Sequence, residues 1–469
     1  MRVPLTAGAL AVALAASPAA AQHDHHAQPQ PSAPPAADPA HGHHSPAPPA
    51  AEPAHEGHAP APPATEPAHQ GHDSAAGAPS HESHGMTGVL GSYPMSREAS
   101  GTSWQPDASP HGGLHVASGP WTLMGHASLH GVYDWQEGPR GNGKAFVSGM
   151  VMGMARRPLG PGTLQLRAGL SPDPFMGRRG YPLLLAAGET ANGVDTLIDR
   201  QHPHDLFMEL SASYSLPLSG RASLFLYAGL PGEPAFGPPT FMHRVAAMDS
   251  PEAPISHHWL DSTHITFGVV TAGLVVGNAK LEASRFNGRE PNQRRFDIET
   301  GPLDSTALRA SWNPARTLSL QASWARLIAP EQLEPDENET RWSASATHTR
   351  PLGDEGWWST TLAWGRRDKA HDHLDAFVLE SAVGLDRWTL FGRAERVETD
   401  ELTRVGGHHG PVYDVAKASF GAIRDFQVGR NVKLGAGGLW ALNFVPRALE
   451  ASYAGDPNGA MLFLRLRID

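Results

Sequence analysis

WTLMGHASLHGVYDW, residues 121–135, alternates with a period of two. Successive side chains of a strand point to opposite faces. One face therefore carries Trp121, Leu123, Gly125, Ala127, Leu129, Gly131, Tyr133 and Trp135. It is apolar and ends in aromatics on both sides, as a strand does when its outer face meets lipid between two interfacial girdles. The other face carries Thr122, Met124, His126, Ser128, His130, Val132 and Asp134, a suitable lining for a barrel lumen. The C-terminal stretch repeats the pattern, with Ala460, Leu462, Leu464, Leu466 and Ile468 outward and Arg465 and Arg467 inward. Leu206, Met208, Leu210, Ala212 and Tyr214 read as outward, with Glu209, Ser211 and Ser213 inward, and Trp440 and Leu442 end another outward face.

Sixteen such segments follow one another between residues 121 and 469, and the links between them alternate in length. Long links fall at about 136–143, 171–203, 231–261, 287–304, 328–339, 367–373, 398–410 and 444–458. Short ones fall near 158–162, 217–220, 277–279, 313–316, 350–356, 384–386 and 425–431. A soluble sandwich has no reason to sort its loops by parity. An outer-membrane barrel has short periplasmic turns, longer external loops and an even strand number. The expected fold is an all-β transmembrane antiparallel barrel of about 16 strands, within a range of 12–18. A soluble sandwich or solenoid is the alternative, and no repeat of 20–50 residues runs through 121–469 to support the solenoid. The chain ends Ile468-Asp469 rather than in the aromatic that closes many such barrels.

Upstream, residues 1–21 read as a signal peptide, with Arg2, an apolar run from Ala7 to Ala16 and small residues at Ala19-Ala20-Ala21. Residues 22–85 have too few large apolar side chains for a packed core and are expected to be disordered. They carry a 14-residue repeat: Ala33 to His41 recurs as Ala47 to His55 and as Ala61 to His69. Each copy ends in a histidine pair: His41 and His43, His55 and His58, His69 and His72. Further histidines stand at His23, His25, His26, His44, His81 and His84, so this tail holds 12 of the chain's 27. Neutral imidazoles on a flexible chain can wrap a Cu(II), Zn(II) or Ni(II) ion, with copper preferred by the Irving–Williams order. The bland alternative is a hydrophilic linker. Residues 86–120 are expected to be a linker leading into the barrel at 121–469.

The formal charge of −11 argues against a nucleic-acid partner. Only five of the 36 basic residues are lysines, at 144, 280, 369, 417 and 433. Arginine suits a polar lumen because it pairs carboxylates bidentately, although a GC-rich genome gives the same bias. The chain has no cysteine, so it uses no disulfide.

Within the barrel, Met124, His126 and His130 share an inner face, and thioether with imidazole suits copper. Residues i and i+4 on a strand lie about 13 Å apart, so His126 and His130 cannot share an ion without neighbouring strands. The facing of Met150, Met152 and Met154 is open. Two long links are unusually dense. One holds Asp173, Arg178, Arg179, Asp195, Asp199 and Arg200, then His202-Pro203-His204-Asp205. The other holds Met242-His243-Arg244, Met248, Asp249, Glu252, His257-His258, Asp261 and His264. His202, His204, His257 and His258 are candidate ligands of a His/carboxylate metal site at the outer mouth. The competing reading is a loop network held by Asp–Arg pairs. Ser256-His257 and Ser262-Thr263-His264 supply the residue types of an outer-membrane hydrolase, but no oxyanion loop accompanies them, and no enzyme activity is expected.

Signal peptide, His-rich tail and cysteine-free barrel together resemble the copper-resistance protein B type of outer-membrane barrel. The tail has Ala-Pro-His units where that family has Met-Asp-His repeats. Met95 to Pro106 and Asp199-Arg200-Gln201-His202-Pro203-His204-Asp205 are similar to uncharacterised exported proteins of proteobacterial metal-resistance regions. The resemblance implies binding or efflux of a transition metal at the outer membrane, copper first and zinc or nickel also accepted. Its implied partners are outer-membrane lipid, metal ions and periplasmic metal-efflux components. A general or substrate-specific porin is the alternative.

Overall fold

The computed structural model describes residues 86–369, 372–405 and 408–469. The signal peptide and the histidine repeats expected within 1–85 lie outside them. The strands are β1 (Leu114–Ser118), β2 (Trp121–Gln136), β3 (Gly143–Leu159), β4 (Gly162–Leu170), β5 (Tyr181–Thr190), β6 (Thr196–Gln201), β7 (Phe207–Ser219), β8 (Ala222–Gly229), β9 (Val269–Val276), β10 (Ala279–Phe286) and β11 (Ser305–Ala315). They continue as β12 (Leu318–Ile328), β13 (Asn338–Leu352), β14 (Gly356–Asp368), β15 (His373–Leu385), β16 (Trp388–Thr399), β17 (Arg404–Val405), β18 (His408–His409), β19 (Tyr413–Gly429), β20 (Val432–Phe444) and β21 (Asn458–Ile468).

Sixteen of these strands form one closed antiparallel ring, each pairing with the next in the chain once the short pairs β5–β6 and β17–β18 are set aside. The ring closes where β21 pairs with β2, from Ala127 opposite Ile468 to Gln136 opposite Gly459. β1 folds back on the part of β2 that β21 leaves free. The loop parity holds throughout. Every link at the end near Gly160, Gly277 and Gly353 is short, and the long connections lie at the opposite end.

Alternation sets the two faces. Leu123, Tyr133, Trp135, Leu462 and Leu464 are exposed, whereas Met124, His130, Asp134 and Arg465 are buried. Exposed aromatics fall in two rows: Trp312, Trp358, Trp388 and Phe426 near the turns, and Tyr133, Trp135, Trp342, Trp440 and Phe444 near the loops. Met150 and Met152 are buried while Val147 and Val151 are exposed, so the methionine stripe faces inward. Met208 departs from expectation. The β4–β7 register shifts between Gly169 and Leu170, and this irregularity turns Met208 inward beside Glu209.

The lumen is filled from both ends. Residues 86–113, expected to be a linker, pack into the turn end. There Arg97 grips Asp107 bidentately at 2.7 and 2.8 Å, and Asp107 also accepts from Asn313 on β11 at 3.1 Å. From the loop end come the β5–β6 hairpin and residues 230–268, which contain the helical turn α1 (His257–Leu260). Leu183, Leu184, Leu185, Phe241, Trp259 and Leu260 bury their side chains against Val378, Phe391 and Phe463 of the wall. Carboxylate–cation pairs fix the same segment to the wall. Arg244 holds Glu380 at 2.7 and 3.0 Å, Glu252 meets Lys417 at 2.5 Å, and Asp249 meets Arg465. The arginine-rich interior thus uses arginine as the bidentate partner that planar geometry allows.

Candidate functional site

Three histidines meet inside the barrel. His204 follows β6 directly, on the stretch that returns the chain to the wall at β7. His257 opens α1, and His264 closes the 3-10 turn Ser262–His264 that follows. One ring nitrogen of each lies within 4.8 Å of the others, and all three residues are buried. Their Nδ1 atoms are already engaged. His204 Nδ1 is 2.8 Å from Asp173 Oδ2, His257 Nδ1 is 2.7 Å from Asp261 Oδ1, and His264 Nδ1 is 2.8 Å from the Asp261 carbonyl. Each of these oxygens only accepts, so each Nδ1 donates, and a ring with a single proton carries it there. The lone pairs are left on Nε2, and the Nε2 atoms of His204, His257 and His264 are buried with no hydrogen-bond partner among the described residues.

The surroundings hold this arrangement. Asp261 Oδ2 accepts from Arg244 at 2.5 Å and from the Phe241 amide at 2.9 Å. Burial opposes its charge, but Arg244 and then His257 outweigh burial and keep the carboxylate ionised. Burial, then the neighbouring His204 and His257, push the His264 imidazole well below its usual pKa, so it stays neutral. Three buried imidazoles whose Nε2 atoms converge, each oriented by an oxygen behind it, have the chemistry of a first-row transition-metal site.

The other expected ligands lie close by but turn elsewhere. His202 Nε2 faces Glu189 at 3.1 Å, and His258 Nδ1 is 3.6 Å from Glu290. His258 is pressed against Gly188, where a Cβ would fall 2.2 Å from its Cε1. His264 stood in the sequence beside these residues without being singled out as a ligand. Its signal was its place three residues after Asp261, which itself follows His257 by four, so that both rings close on one aspartate. His202, His204, His257 and His258 are buried among residues of the long-loop end, such as Glu189 and Glu290, rather than exposed there. The reading of a loop network held by Asp–Arg pairs holds, with Arg244 on Asp261 and Arg295 on Asp205, and the three histidines sit inside it.

Met124, His126 and His130 lie on the inner face of β2, as expected. His126 is opposite Met152 and Met124 opposite Met154 across the β2–β3 ladder. His130 packs edge-on against Phe463 at 5.9 Å, with its Nε2 unpartnered. The serines do not pair with their neighbouring histidines. Ser256 Oγ donates to Glu395 at 2.7 Å, and Ser262 Oγ accepts from Arg341 at 2.8 Å. A second gathering, of Glu331, Asp400, Glu401 and His409, surrounds Lys369, which lies 3.3–3.5 Å from the three carboxylates. It is an ion-pair cluster with its own cation.

No family model and no curated protein matches the chain. Solved structures that resemble it are barrels. The outer-membrane OmpT of Vibrio cholerae aligns over 76% of this chain and 100% of its own, with 9% identity and a TM-score of 0.43. OprB of Pseudomonas putida aligns over 74% and 94%, with 10% identity and a TM-score of 0.47. An anion-selective porin from Comamonas acidovorans aligns over 74% and 100%, with 10% identity and a TM-score of 0.42.

Proposed function

We propose that this protein is a plugged outer-membrane barrel that binds and passes on a transition metal, with the His204–His257–His264 triad as its central site. The observation that carries the reading is the convergence of three buried, unpartnered Nε2 atoms whose Nδ1 atoms are each held by oxygen. Leaving such nitrogens unpaired costs about 1–3 kcal/mol apiece, and a metal ion relieves all three at once. The exposed apolar belt with its two aromatic rows supports insertion in a lipid bilayer, with the short turns on the periplasmic side. Residue 86 is at that same end, where Arg156 donates to the Thr87 carbonyl at 2.7 Å. The histidine-rich segment 22–85 precedes this end in the chain, and in this reading its role is to gather copper, zinc or nickel, with periplasmic efflux components as the matching suppliers. An open porin is the weaker reading, because Arg244, Lys417 and Arg465 tie residues 244–252 across the lumen.

The experiment is metal analysis of the full-length protein purified from outer-membrane fractions, alongside a His204→Ala/His264→Ala variant. The variant should carry about one equivalent less copper or zinc, the share of one site with three protein ligands. Recovery of the protein from the soluble periplasm, or equal metal in both proteins, would overturn the proposal.

A further inference from the structure

The turn-end half of the lumen holds a second concentration of ligand atoms that the triad does not use. A cavity of ≈ 130 Å³ lies there. Six of the chain's twelve methionines line it: Met124, Met150, Met152, Met154, Met242 and Met248. Three imidazoles join them, those of His111, His126 and His243. The register explains why the sulfurs gather. Met124 is opposite Met154 and His126 opposite Met152 on one inner face, and directly opposed residues on paired strands bring their side chains within about 5 Å at Cβ. The plug supplies the roof, where the His243 ring stands edge-on to His126 at 6.0 Å. His111 Nε2 is buried there without a partner.

Apolar filling alone is a poor account of this wall. Methionine is the residue of irregular gaps, and Met150 and Met152 do pack with Met208, Ile265 and Phe267, yet the stripe alternates along β3 and His126 stands directly opposite Met152. The arginines bordering the cavity do not make it cationic. Arg167 is paired with Glu209 at 2.7 Å, Arg467 with Asp469 at 2.6 Å, and Arg465 with Asp249. Two smaller cavities continue inward, one of ≈ 40 Å³ reaching His204 and one of ≈ 30 Å³ reaching His264. Met150 borders all three.

We infer that the Met124–His126–Met152–Met154–His243 cluster is a separate site for a soft monovalent cation of the copper(I) or silver(I) class, placed between the turn end and the triad. Thioether and imidazole together select such ions over zinc, and the cluster's position makes it the station before the harder all-nitrogen triad. The inference extends the metal-handling reading but rests on different residues, so the two fail separately.

The test uses full-length protein and silver(I), a redox-inert probe, with cobalt(II) as the probe of the triad. Silver-edge X-ray absorption should show sulfur neighbours in the wild-type protein. Met152→Leu/Met154→Leu keeps side-chain volume and should lose those neighbours. It should also weaken silver binding about 10-fold or more, at least the loss seen when an outer partner of a metal site is removed. Cobalt(II) binding should be unchanged. A heat-modifiable band on gels checks that the double variant folds, and if it does not, the single Met154→Leu is read instead. Silver held by nitrogen and oxygen alone, or held equally well by the folded variant, overturns the inference. Wild-type protein that holds silver through sulfur but binds no cobalt(II) would instead overturn the triad reading and leave this site standing.

Discussion

His257 and Asp261 stand one helical turn apart, and the imidazole donates to the carboxylate over 2.7 Å. Asp261 is at the same time the anion of a buried chain that runs through Arg244 to Glu380 on β15 and on to Arg393 on β16. The ring is thereby oriented by the barrel wall through two intermediaries. The same aspartate fixes His264 through its backbone carbonyl. One residue therefore sets two of the three converging nitrogens.

Asp261→Asn should retain the fold but weaken metal binding. The amide still occupies the space but can present an N–H to His257, which disfavours the tautomer with a free Nε2. Loss of such an outer partner lowers affinity about 10–100-fold. Competition against a chelator of known affinity measures it, and an unchanged affinity would show that Asp261 has only a structural role.

Glu380→Ala should be far more damaging to stability than to metal chemistry. It leaves Arg244 and Arg393 buried with one partner fewer, and breaking a buried pair from one side costs about 3–5 kcal/mol. Thermal melting in detergent should fall well below wild type. Glu380→Gln, which keeps hydrogen-bond acceptance, should fall between the two.

Removing residues 22–85 should lower total copper or zinc capacity and leave the triad's equivalent in place. The tail's imidazoles should also release metal below about pH 6, since free histidine titrates near 6.5. Equal stoichiometry with and without the tail would rule it out as a gathering element.

The mouth loops should loosen in alkali. Burial works against a charged His409, but its hydrogen bond to Asp400 and the nearby Glu331 and Glu401 outweigh burial and Lys369, raising its pKa. A raised folded pKa means the protonated ring is favoured by the folded loop. That stability is whole below the unfolded value of about 6.5 and is lost as pH rises through the folded one. Hydrogen exchange at 400–405 and 408–412 should quicken across that window beyond the intrinsic rate, and His409→Gln should abolish the excess.

Topology can be read by labelling, because the chain has no cysteine. Val194, at the tip of the β5–β6 hairpin, is 72% exposed, whereas Ser250 is buried in the plug. A cysteine at Val194 should react with an impermeant reagent on intact cells. Cysteines at Ser250, or at Asp354 in a short turn, should not. Reaction at Asp354 alone would invert the barrel.

The ring of strands was legible because a two-sided wall writes its alternation into residues 121–135 and 460–468, and because turns and loops sort by length. Met208 was misplaced since a single extra residue in a ladder reverses facing without changing composition. The plug was less legible. Nothing local in Met95 to Pro106 announces that Arg97 and Asp107 will pair inside a lumen, since their other partners, such as Asn313, are some two hundred residues away. The triad was half visible. His204 and His257 stood out by density, but which of five neighbouring histidines converge depends on the turn after α1 and on Gly188, which lets His258 lean away.

The central claim is a metal ion held by three imidazoles inside the barrel, and anomalous X-ray scattering at the zinc edge from crystals of the full-length protein loaded with zinc tests it most directly. The account predicts a single strong peak among the Nε2 atoms of His204, His257 and His264, about 2.0–2.1 Å from each, and its loss in the His264→Ala protein. A barrel whose anomalous density lies only on surface carboxylates, with the three Nε2 atoms bridged by water, would contradict it.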